Sequence, residues 1–248
     1  MPVQRHLTPD ISRRRSALID LLCGNTTTQR KRTMARVLVA CEYSGRVRNA
    51  FAALGHDAWS CDLLESETPG QHYQGDVRDM LAQQWDLMVC HPPCTHLSVS
   101  GARHFAAKVA SGVQSEALEF VRMLLDADIP RICLENPVSI ISTRIRKPSQ
   151  VVQPWMFGHG ETKATCLWLK GLPKLAPTQL VDGRKPRVHH MPPSPTRWKE
   201  RSRTYEGVAH AMAAQWSPLL QHNAELNGGA SRPTRAPGYL AAHTGDKQ

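Results

Sequence analysis

Apolar runs typical of buried strands alternate with amphipathic runs typical of helices through the middle of the chain, and this alternation limits the possible folds more than any other feature. The strand-like runs are RVLVAC at 36–41, DAWSCDL at 57–63, WDLMVC at 85–90, RICL at 131–134 and TCLWL at 165–169. The helix-like runs lie at 45–54, 114–127 and 204–216. The alternation predicts an α/β fold, a mostly parallel sheet with helices on both faces.

Charge and cysteine content indicate the environment and the class of partner. The 248 residues include 31 basic and 21 acidic residues, which gives a formal charge of +10 and favours binding to polyanions, nucleic acid first among them. A basic enzyme whose charge has no specific meaning is the alternative. Seven cysteines without a disulfide-like spacing favour a reduced cytoplasm. No apolar run is long enough to span a bilayer, so we expect no membrane partner.

Composition divides the chain into three parts. Residues 1–33 are polar and basic and are expected to form a flexible N-terminal extension. Residues 34–221 are expected to form the domain, with 172–203 as a short basic insert. Residues 222–248 contain Gly228-Gly229 and scattered Pro, Ser and Thr, which predicts a disordered tail.

Residues that directly follow the first strands form a candidate nucleoside site, because ligands of such sheets bind beyond the carboxyl ends of the strands. An acidic residue at the end of the second strand can accept hydrogen bonds from ribose hydroxyls, and a later one can receive an adenine amino group. A simple tight turn and two helix caps are the alternatives, since the dinucleotide fingerprint is reduced to one glycine. The candidate residues are Cys41, Glu42, Tyr43, Ser44, Gly45, Asp62, Leu63, Asp76 and Val77.

A second group of candidates follows the strands at 85–90 and 131–134. Pro92 and Pro93 stiffen a turn that presents Cys94 just past a strand end, and Glu135-Asn136 follows the next strand. If these two strands are neighbours, the thiol and the carboxylate share one crevice. A metal site formed by cysteines and histidines at 90–96 is the alternative, but structural zinc sites use two separated pairs of ligands, so we expect no metal.

Together these motifs resemble the DNA cytosine-5 methyltransferases, and especially their small phage and prophage members. Pro92-Pro93-Cys94 is similar to the family's nucleophile motif, and Glu135-Asn136 is similar to its acid motif. Gly45, Asp62, Asp76 and Pro92 fall where that family binds S-adenosylmethionine, and 157–171 looks like a later motif. The resemblance covers 36–216. It implies a Rossmann-like class I methyltransferase fold, S-adenosylmethionine as cofactor and DNA as substrate. It also implies the cytoplasm of a bacterium or of a phage-infected host cell.

The resemblance also implies a mechanism. A Cys94 thiolate would add to carbon 6 of cytosine, so that carbon 5 can take the methyl group. Glu135 would hold the ring nitrogen in its protonated form, and Asn136 would orient Glu135 or the loop. The pKa of the thiol has to fall from about 8.5 with the help of a cation, for which Arg103 and Lys163 are candidates. The base has to leave the duplex or come from a single strand.

Basic and polar residues near these motifs are candidates for contacts with DNA, although a solvated surface loop is the alternative. The candidates are Ser98, Ser100, Arg103, Lys163, Thr165, Arg184, Arg187, Arg197, Lys199 and Arg201. The family's Gln-x-Arg-x-Arg element is replaced by ETKAT at 161–165, and the recognition region is reduced to 172–203. We therefore expect relaxed sequence specificity, or specificity supplied by a protein partner.

Two other functions remain open at this point. The chain is either an enzyme or a catalytically silent DNA-binding decoy with a methyltransferase shape, since fold does not imply function. The same chemistry can also act on RNA or on a free cytosine nucleotide. The basic run at 184–203 favours a polymer.

Overall fold

The computed structural model describes residues 34–226, with side chains as far as Leu220. Within this range seven strands form one sheet in the order β3-β2-β1-β4-β5-β7-β6. The strands are β1 (Arg36–Ala40), β2 (Asp57–Asp62), β3 (His72–Gln74), β4 (Leu87–Cys90), β5 (Ile132–Pro137), β6 (Gln150–Val152) and β7 (Thr165–Lys170). Strands β1 to β5 are parallel to one another, whereas β7 is antiparallel to both β5 and β6.

Eight α-helices connect and cover these strands in the described part of the chain. They are α1 (Arg46–Ala53), α2 (Val77–Leu81), α3 (Phe105–Ala110), α4 (Val113–Asp126), α5 (Ile141–Arg144), α6 (Arg187–His190), α7 (Arg197–Ser202) and α8 (Glu206–Leu226). Short 3₁₀-helices occupy Val99–His104 and Pro154–Met156. None of the helices in residues 34–226 combines the length and the apolar character that crossing a bilayer requires.

Two hydrophobic cores lie on opposite faces of the sheet, because successive strand residues point to opposite sides. Along β1, Val37 and Val39 belong to the core that includes Phe51 of α1 and Trp216 of α8. Leu38 and Ala40 belong to the core that includes Leu124 of α4 and Trp168 of β7. The predicted arrangement of helices on both faces of a mostly parallel sheet is confirmed.

The predicted closing helix is present and packs on α1, with Val208, Ala209, Met212 and Trp216 buried. It continues to Leu226 and therefore includes the first five residues of the expected tail at 222–248. The remainder of that tail and the expected extension at 1–33 lie outside the described residues. The short strands β3 and β6 were not predicted from the sequence, because three residues are too few for a periodic pattern.

Candidate active site

Cys94 and Glu135 lie at the same edge of the sheet, because β4 and β5 are neighbouring parallel strands with Cys90 opposite Leu134. Glu135 was expected just beyond a strand end. It lies inside β5, since pairing with the antiparallel β7 extends β5 past the end of β4.

The loop that carries Cys94 is fixed to the segment that follows β5. The side-chain amide of Asn136, which is 2% exposed, donates a hydrogen bond to the Pro92 carbonyl at 2.9 Å. The backbone N–H of Val99 donates to Val138, and that of Ile140 donates to Leu97. Asn136 therefore holds the loop, and the segment after Cys94 forms a turn and a 3₁₀-helix.

Glu135 is buried in a set of polar partners. Its carboxylate lies 2.9 Å from His91 Nδ1, with the two side chains 10% and 12% exposed, and it accepts a hydrogen bond from Thr204 Oγ1 at 3.3 Å. Burial by itself raises the pKa of Glu135, but His91, Lys163 and Thr204 outweigh it and lower the pKa to about 2. Glu135 is therefore ionised at neutral pH.

Cys94 is exposed at this edge and is influenced by two cations. Desolvation of the sulfur raises the pKa of Cys94, while Lys163 and Arg201 act in the opposite direction. The expected cation Arg103 instead donates its Nε to His104 at 2.9 Å in the 3₁₀-helix. Lys163 was expected in this role, whereas Arg201 was expected only as a contact for DNA.

A small crevice lies next to Glu135, lined among others by Lys163, Thr165, Thr204 and Tyr205. Its volume is about 10 Å3, roughly the space that one water molecule needs. Lys163 Nζ donates to the Arg203 carbonyl at 3.4 Å, and Thr165 Oγ1 donates to the Lys163 carbonyl at 3.1 Å. The first of these contacts connects Lys163, which lines the crevice, to the segment that precedes α8.

The first candidate nucleoside residues stabilise the start of α1. The buried Glu42 carboxylate accepts hydrogen bonds from the backbone N–H groups of Val47 and Arg48 and from Ser44 Oγ. A carboxylate in this place satisfies N–H groups that lack partners within the helix and interacts favourably with the helix dipole. Glu42 and Ser44 are thus engaged within the protein, while Cys41 lies at the end of β1 with a φ of 58°.

Position 45 requires a glycine because other side chains of the protein pack closely against it. Gly45 adopts a φ of 69°, and a Cβ there would collide with Thr68 Oγ1 and Arg48 Nη2. Arg48 has no exposed surface, and its guanidinium donates to Ser60, Ser66, Thr68 and Pro69. The close approach that was expected between Gly45 and a ligand is made by these two side chains.

Asp62 and Leu63 lie at the end of β2, next to Cys41. The Asp62 carboxylate accepts the Leu64 N–H at 3.0 Å, and burial raises its pKa above the usual value. Leu63 is 73% exposed beside it. A half-buried carboxylate and an exposed apolar side chain together suit a ribose and the face of an adenine.

Asp76 lies at the start of α2, in the position of a helix cap. It accepts the Arg78 N–H at 2.9 Å and pairs with the Arg78 guanidinium at 2.6 Å. Val77 after it is buried. Asp62 and Asp76 both contribute, after burial, to the raised pKa of Cys41, so the two acids surround the ends of β1 and β2.

The helix α7 of the expected recognition segment lies against the first motif. The Tyr43 hydroxyl donates to the Lys199 carbonyl at 2.9 Å, and the Tyr43 and Trp198 rings are 5.9 Å apart. Lys199 Nζ lies near both rings, and Arg203 pairs with Glu67 at 2.7 Å. Tyr43 was expected to bind the cofactor. Its side chain connects the candidate donor site to the basic segment, and its contact with the cofactor stays a prediction.

Most of the remaining candidates for DNA contacts have partners within the protein. Arg187 pairs with Glu161 at 2.9 Å, and Arg184 lies 4.0 Å from the Trp155 ring. Arg197 Nε is buried without a hydrogen-bond partner in the described part of the chain. Ser98 and Ser100 share a hydrogen bond of 2.9 Å.

Two interactions of this site were not predicted from the sequence, the His91–Glu135 pair and the burial of Arg48. His91 was considered only as a metal ligand. In residues 34–226 no group of three His, Cys, Asp or Glu side chains is arranged to hold a metal ion.

Comparison of the sequence with protein-family models and with curated proteins gives no match. The function therefore has to be inferred from the site itself.

Proposed function

We propose that the chain transfers a methyl group from S-adenosylmethionine to carbon 5 of cytosine in DNA, through a covalent adduct with Cys94. One observation carries this proposal. An exposed thiol and a buried, ionised carboxylate lie at the same edge of two adjacent parallel strands, and Lys163 acts on both of them. A nucleophile and an acid–base group in one place suit addition to an aromatic ring.

In the proposed reaction the Cys94 thiolate adds to carbon 6 of the base. Lys163 and Arg201 favour the thiolate, because a positive charge nearby stabilises the ionised sulfur. Glu135 contacts the ring nitrogen, where the electron pair from the addition collects. Asn136 keeps the Cys94 loop in place through Pro92. After transfer, the proton at carbon 5 passes to a base or to water, and the electron pair of that bond forms the carbon 5–carbon 6 double bond as the C–S bond breaks and the thiolate leaves.

The edge near β1 and β2 fits S-adenosylmethionine in part. Asp62 and Leu63 suit its ribose and adenine. The segments that follow β1 and β4 begin at Cys41 and His91 and lie at the same edge. Glu42, Ser44 and Asp76 are engaged in helix capping and contribute by fixing the loops. Bound S-adenosylmethionine would supply an electrophilic methyl group.

The order of the strands supports a donor site at this edge. The order 3-2-1-4-5 is that of doubly wound folds, which bind ligands where the strand order reverses, here between β1 and β4. The antiparallel β7 takes the place of a sixth parallel strand and distinguishes this sheet from the dinucleotide-binding domains. Such an antiparallel strand accords with the class I methyltransferase fold that the sequence resembles.

The basic segment supports DNA as the acceptor. Trp198 is 50% exposed and lies beside Lys199 in α7, and Arg201 of the same helix acts on Cys94. Aromatic and cationic side chains together suit a flipped base and its phosphates. A crevice of about 10 Å3 is too small for a base, so Thr204 and Tyr205 would have to move before a base reaches Glu135.

The test is incubation of the pure protein with labelled S-adenosylmethionine and duplex DNA of mixed sequence, followed by analysis of the bases. We expect labelled 5-methylcytosine with the wild-type protein and none with Cys94→Ala. Cys166→Ala is the matched control, because the Cys166 thiol in β7 is buried, whereas the Cys94 thiol is exposed.

Parallel reactions with single-stranded DNA, RNA and cytidine nucleotides identify the acceptor. If the labelled methyl group appears only in RNA or only in the free nucleotide, that molecule and not DNA is the substrate. If calorimetry detects binding of S-adenosylmethionine but no methyl group is transferred to any acceptor, the chain is the catalytically silent, DNA-binding protein. Full activity of Cys94→Ala would contradict the assigned nucleophile.

A further inference from the structure

His91 follows the last residue of β4 and lies between the two groups of candidate residues. Its backbone N–H donates to the Ala40 carbonyl at 2.9 Å, which fixes the residue at the end of β1. Its Nδ1 lies 2.9 Å from Glu135 Oε2. Its Nε2 is buried without a hydrogen-bond partner in the described part of the chain. The Glu135 carboxylate is thus the only hydrogen-bond partner described for the ring.

Charges on four neighbouring elements face this imidazole. They are Glu135 of β5, Glu42 after β1, Asp62 at the end of β2, and Lys163 before β7. Burial and Lys163 lower the pKa of His91, but Glu135 and Glu42 outweigh them, so the pKa is raised above its usual value. The raised pKa of His91 and the lowered pKa of Glu135 together place the proton that the pair shares on His91 and not on the carboxylate.

The proposed reaction needs a proton at this place. Addition of the thiolate to carbon 6 moves an electron pair to the ring nitrogen, which becomes basic and requires a proton. Glu135 as the structure has it is ionised and has none to give. Lys163 Nζ is directed to the Arg203 carbonyl, whereas His91 contacts the carboxylate directly.

We propose that His91 stores the proton that Glu135 delivers to the cytosine ring. As the Cys94 sulfur forms its bond to carbon 6, the Nδ1–H bond of the imidazolium breaks and the proton passes to the Glu135 carboxylate. The carboxyl group then donates this proton to the ring nitrogen and is again ionised, while His91 is left neutral. On elimination the proton returns by the same route, so the pair is unchanged after a turnover.

This inference rests on the proposed methyl transfer and assigns His91 a role that acts through Glu135, without contact with the base. A positioning role of this kind predicts a particular dependence on pH. In the wild-type protein, methyl transfer persists through neutral pH and falls only when His91 loses its proton. Without the imidazole, Glu135 alone has to hold the proton, and a carboxyl group does so only at lower pH.

The experiment is a single-turnover pH profile of His91→Gln and of the wild-type protein. We expect the basic limb to move by at least about one pH unit to lower pH, and the rate at neutral pH to fall by about 100-fold. His56→Gln is the matched control, because His56 is also buried but pairs with Ser217. Its profile should keep the wild-type shape.

A rate that falls equally at every pH in His91→Gln would show a structural role and would overturn the proton store. If His91→Gln does not fold, nuclear magnetic resonance of the wild-type imidazole decides. Its titration midpoint should lie above about 6.5 and should fall in Glu135→Gln, and an unchanged midpoint would overturn the proposal. A wild-type protein that folds but transfers no methyl group would overturn the methyl-transfer function itself, and the proton store with it.

Discussion

The side chain of Asn136 holds the carbonyl of Pro92 at 2.9 Å, across the two strands that carry the candidate nucleophile and acid. Pro92 has no amide hydrogen, so this carbonyl is the polar group through which its peptide can be fixed. The contact couples the position of Cys94, two residues later, to β5.

Asn136→Ala removes this contact. We expect the free energy of unfolding to fall by about 1–3 kcal/mol, because a buried carbonyl loses its partner. We also expect kcat for methyl transfer to fall by up to about 100-fold, because displacement of a nucleophile by about 1 Å has this effect. Urea denaturation and initial rates measure the two quantities. Gln150→Ala is the control, since Gln150 also donates to a backbone carbonyl, that of Leu175, but lies in β6.

We expect both Asn136→Ala and Gln150→Ala to be less stable than the wild-type protein. Only Asn136→Ala should also transfer methyl groups more slowly. Equal rates in the two variants would contradict a role for Asn136 in placing the nucleophile.

Lys163 favours the thiolate of Cys94, and this effect can be measured without any substrate. Lys163→Gln removes the positive charge, so the pKa of Cys94 should rise further above its usual value and less thiolate should be present. We expect the rate of alkylation of Cys94 by iodoacetamide near neutral pH to fall by roughly 3- to 10-fold, which corresponds to about 0.5–1 pKa unit. Mass spectrometry of the peptide that contains Cys94 gives this rate.

Lys170→Gln is the matched control for this experiment. Lys170 ends β7 at the opposite edge of the sheet, where its Nζ donates to the Ala127 carbonyl. In Lys170→Gln, Cys94 should be alkylated at the same rate as in the wild-type protein. A wild-type rate in Lys163→Gln would mean that the cation does not act on the sulfur.

Gly45 and Gly55 separate two effects of adding a methyl group. Both have positive φ, 69° and 84°, but the space beside Gly55 is open, whereas Thr68 and Arg48 fill that beside Gly45. We expect Gly55→Ala to lower the free energy of unfolding by about 1–2 kcal/mol from backbone strain alone. Gly45→Ala should lower it by about 2–5 kcal/mol, because overpacking adds to the strain.

Chemical denaturation of both variants tests this difference. A smaller loss in Gly45→Ala than in Gly55→Ala would mean that the loop at 63–71 relaxes at little cost and that Arg48 does not fix it.

The sequence predicts the strands well because their burial produces long apolar runs, as in β1 and β4. It also places Cys94 and Glu135 at strand ends, since Pro92-Pro93 and the apolar run before Glu135 mark these positions. It does not predict that β7 is antiparallel, because a buried strand has the same pattern in either direction.

The partners of polar side chains are harder to predict. Arg48 lies in an amphipathic helix and would be expected at the surface, yet it is fully buried because Ser60, Ser66 and Thr68 from outside the helix accept its hydrogen bonds. His91 pairs with Glu135 only because β4 and β5 are adjacent, and no local pattern contains that fact. Such pairs depend on tertiary contacts between distant segments.

The His91–Glu135 pair should give the protein a stability that depends on pH. The pKa of Glu135 is lowered from 4.5 to about 2 in the folded state, so its contribution is present above 4.5 and is lost as the pH falls towards 2. The pKa of His91 is raised from 6.5, so its contribution is complete below 6.5 and is lost as the pH rises through the folded value. Both contributions to stability are therefore complete only between pH 4.5 and pH 6.5.

Glu135→Gln tests this window, because it leaves a buried imidazolium without its counter-ion. Between these limits the variant should be less stable than the wild-type protein by about 3–5 kcal/mol. The difference should shrink to about 1 kcal/mol at a pH where the imidazole is neutral, since only a hydrogen bond is then changed. Urea denaturation across the pH range measures this difference in stability. Glu200→Gln is the control, because Glu200 pairs with Arg203 at the surface. Its loss should change the free energy of unfolding by less than about 1 kcal/mol. If the difference in the free energy of unfolding between Glu135→Gln and the wild-type protein stays constant over the whole pH range, His91 and Glu135 do not form the charged pair that their 2.9 Å separation indicates.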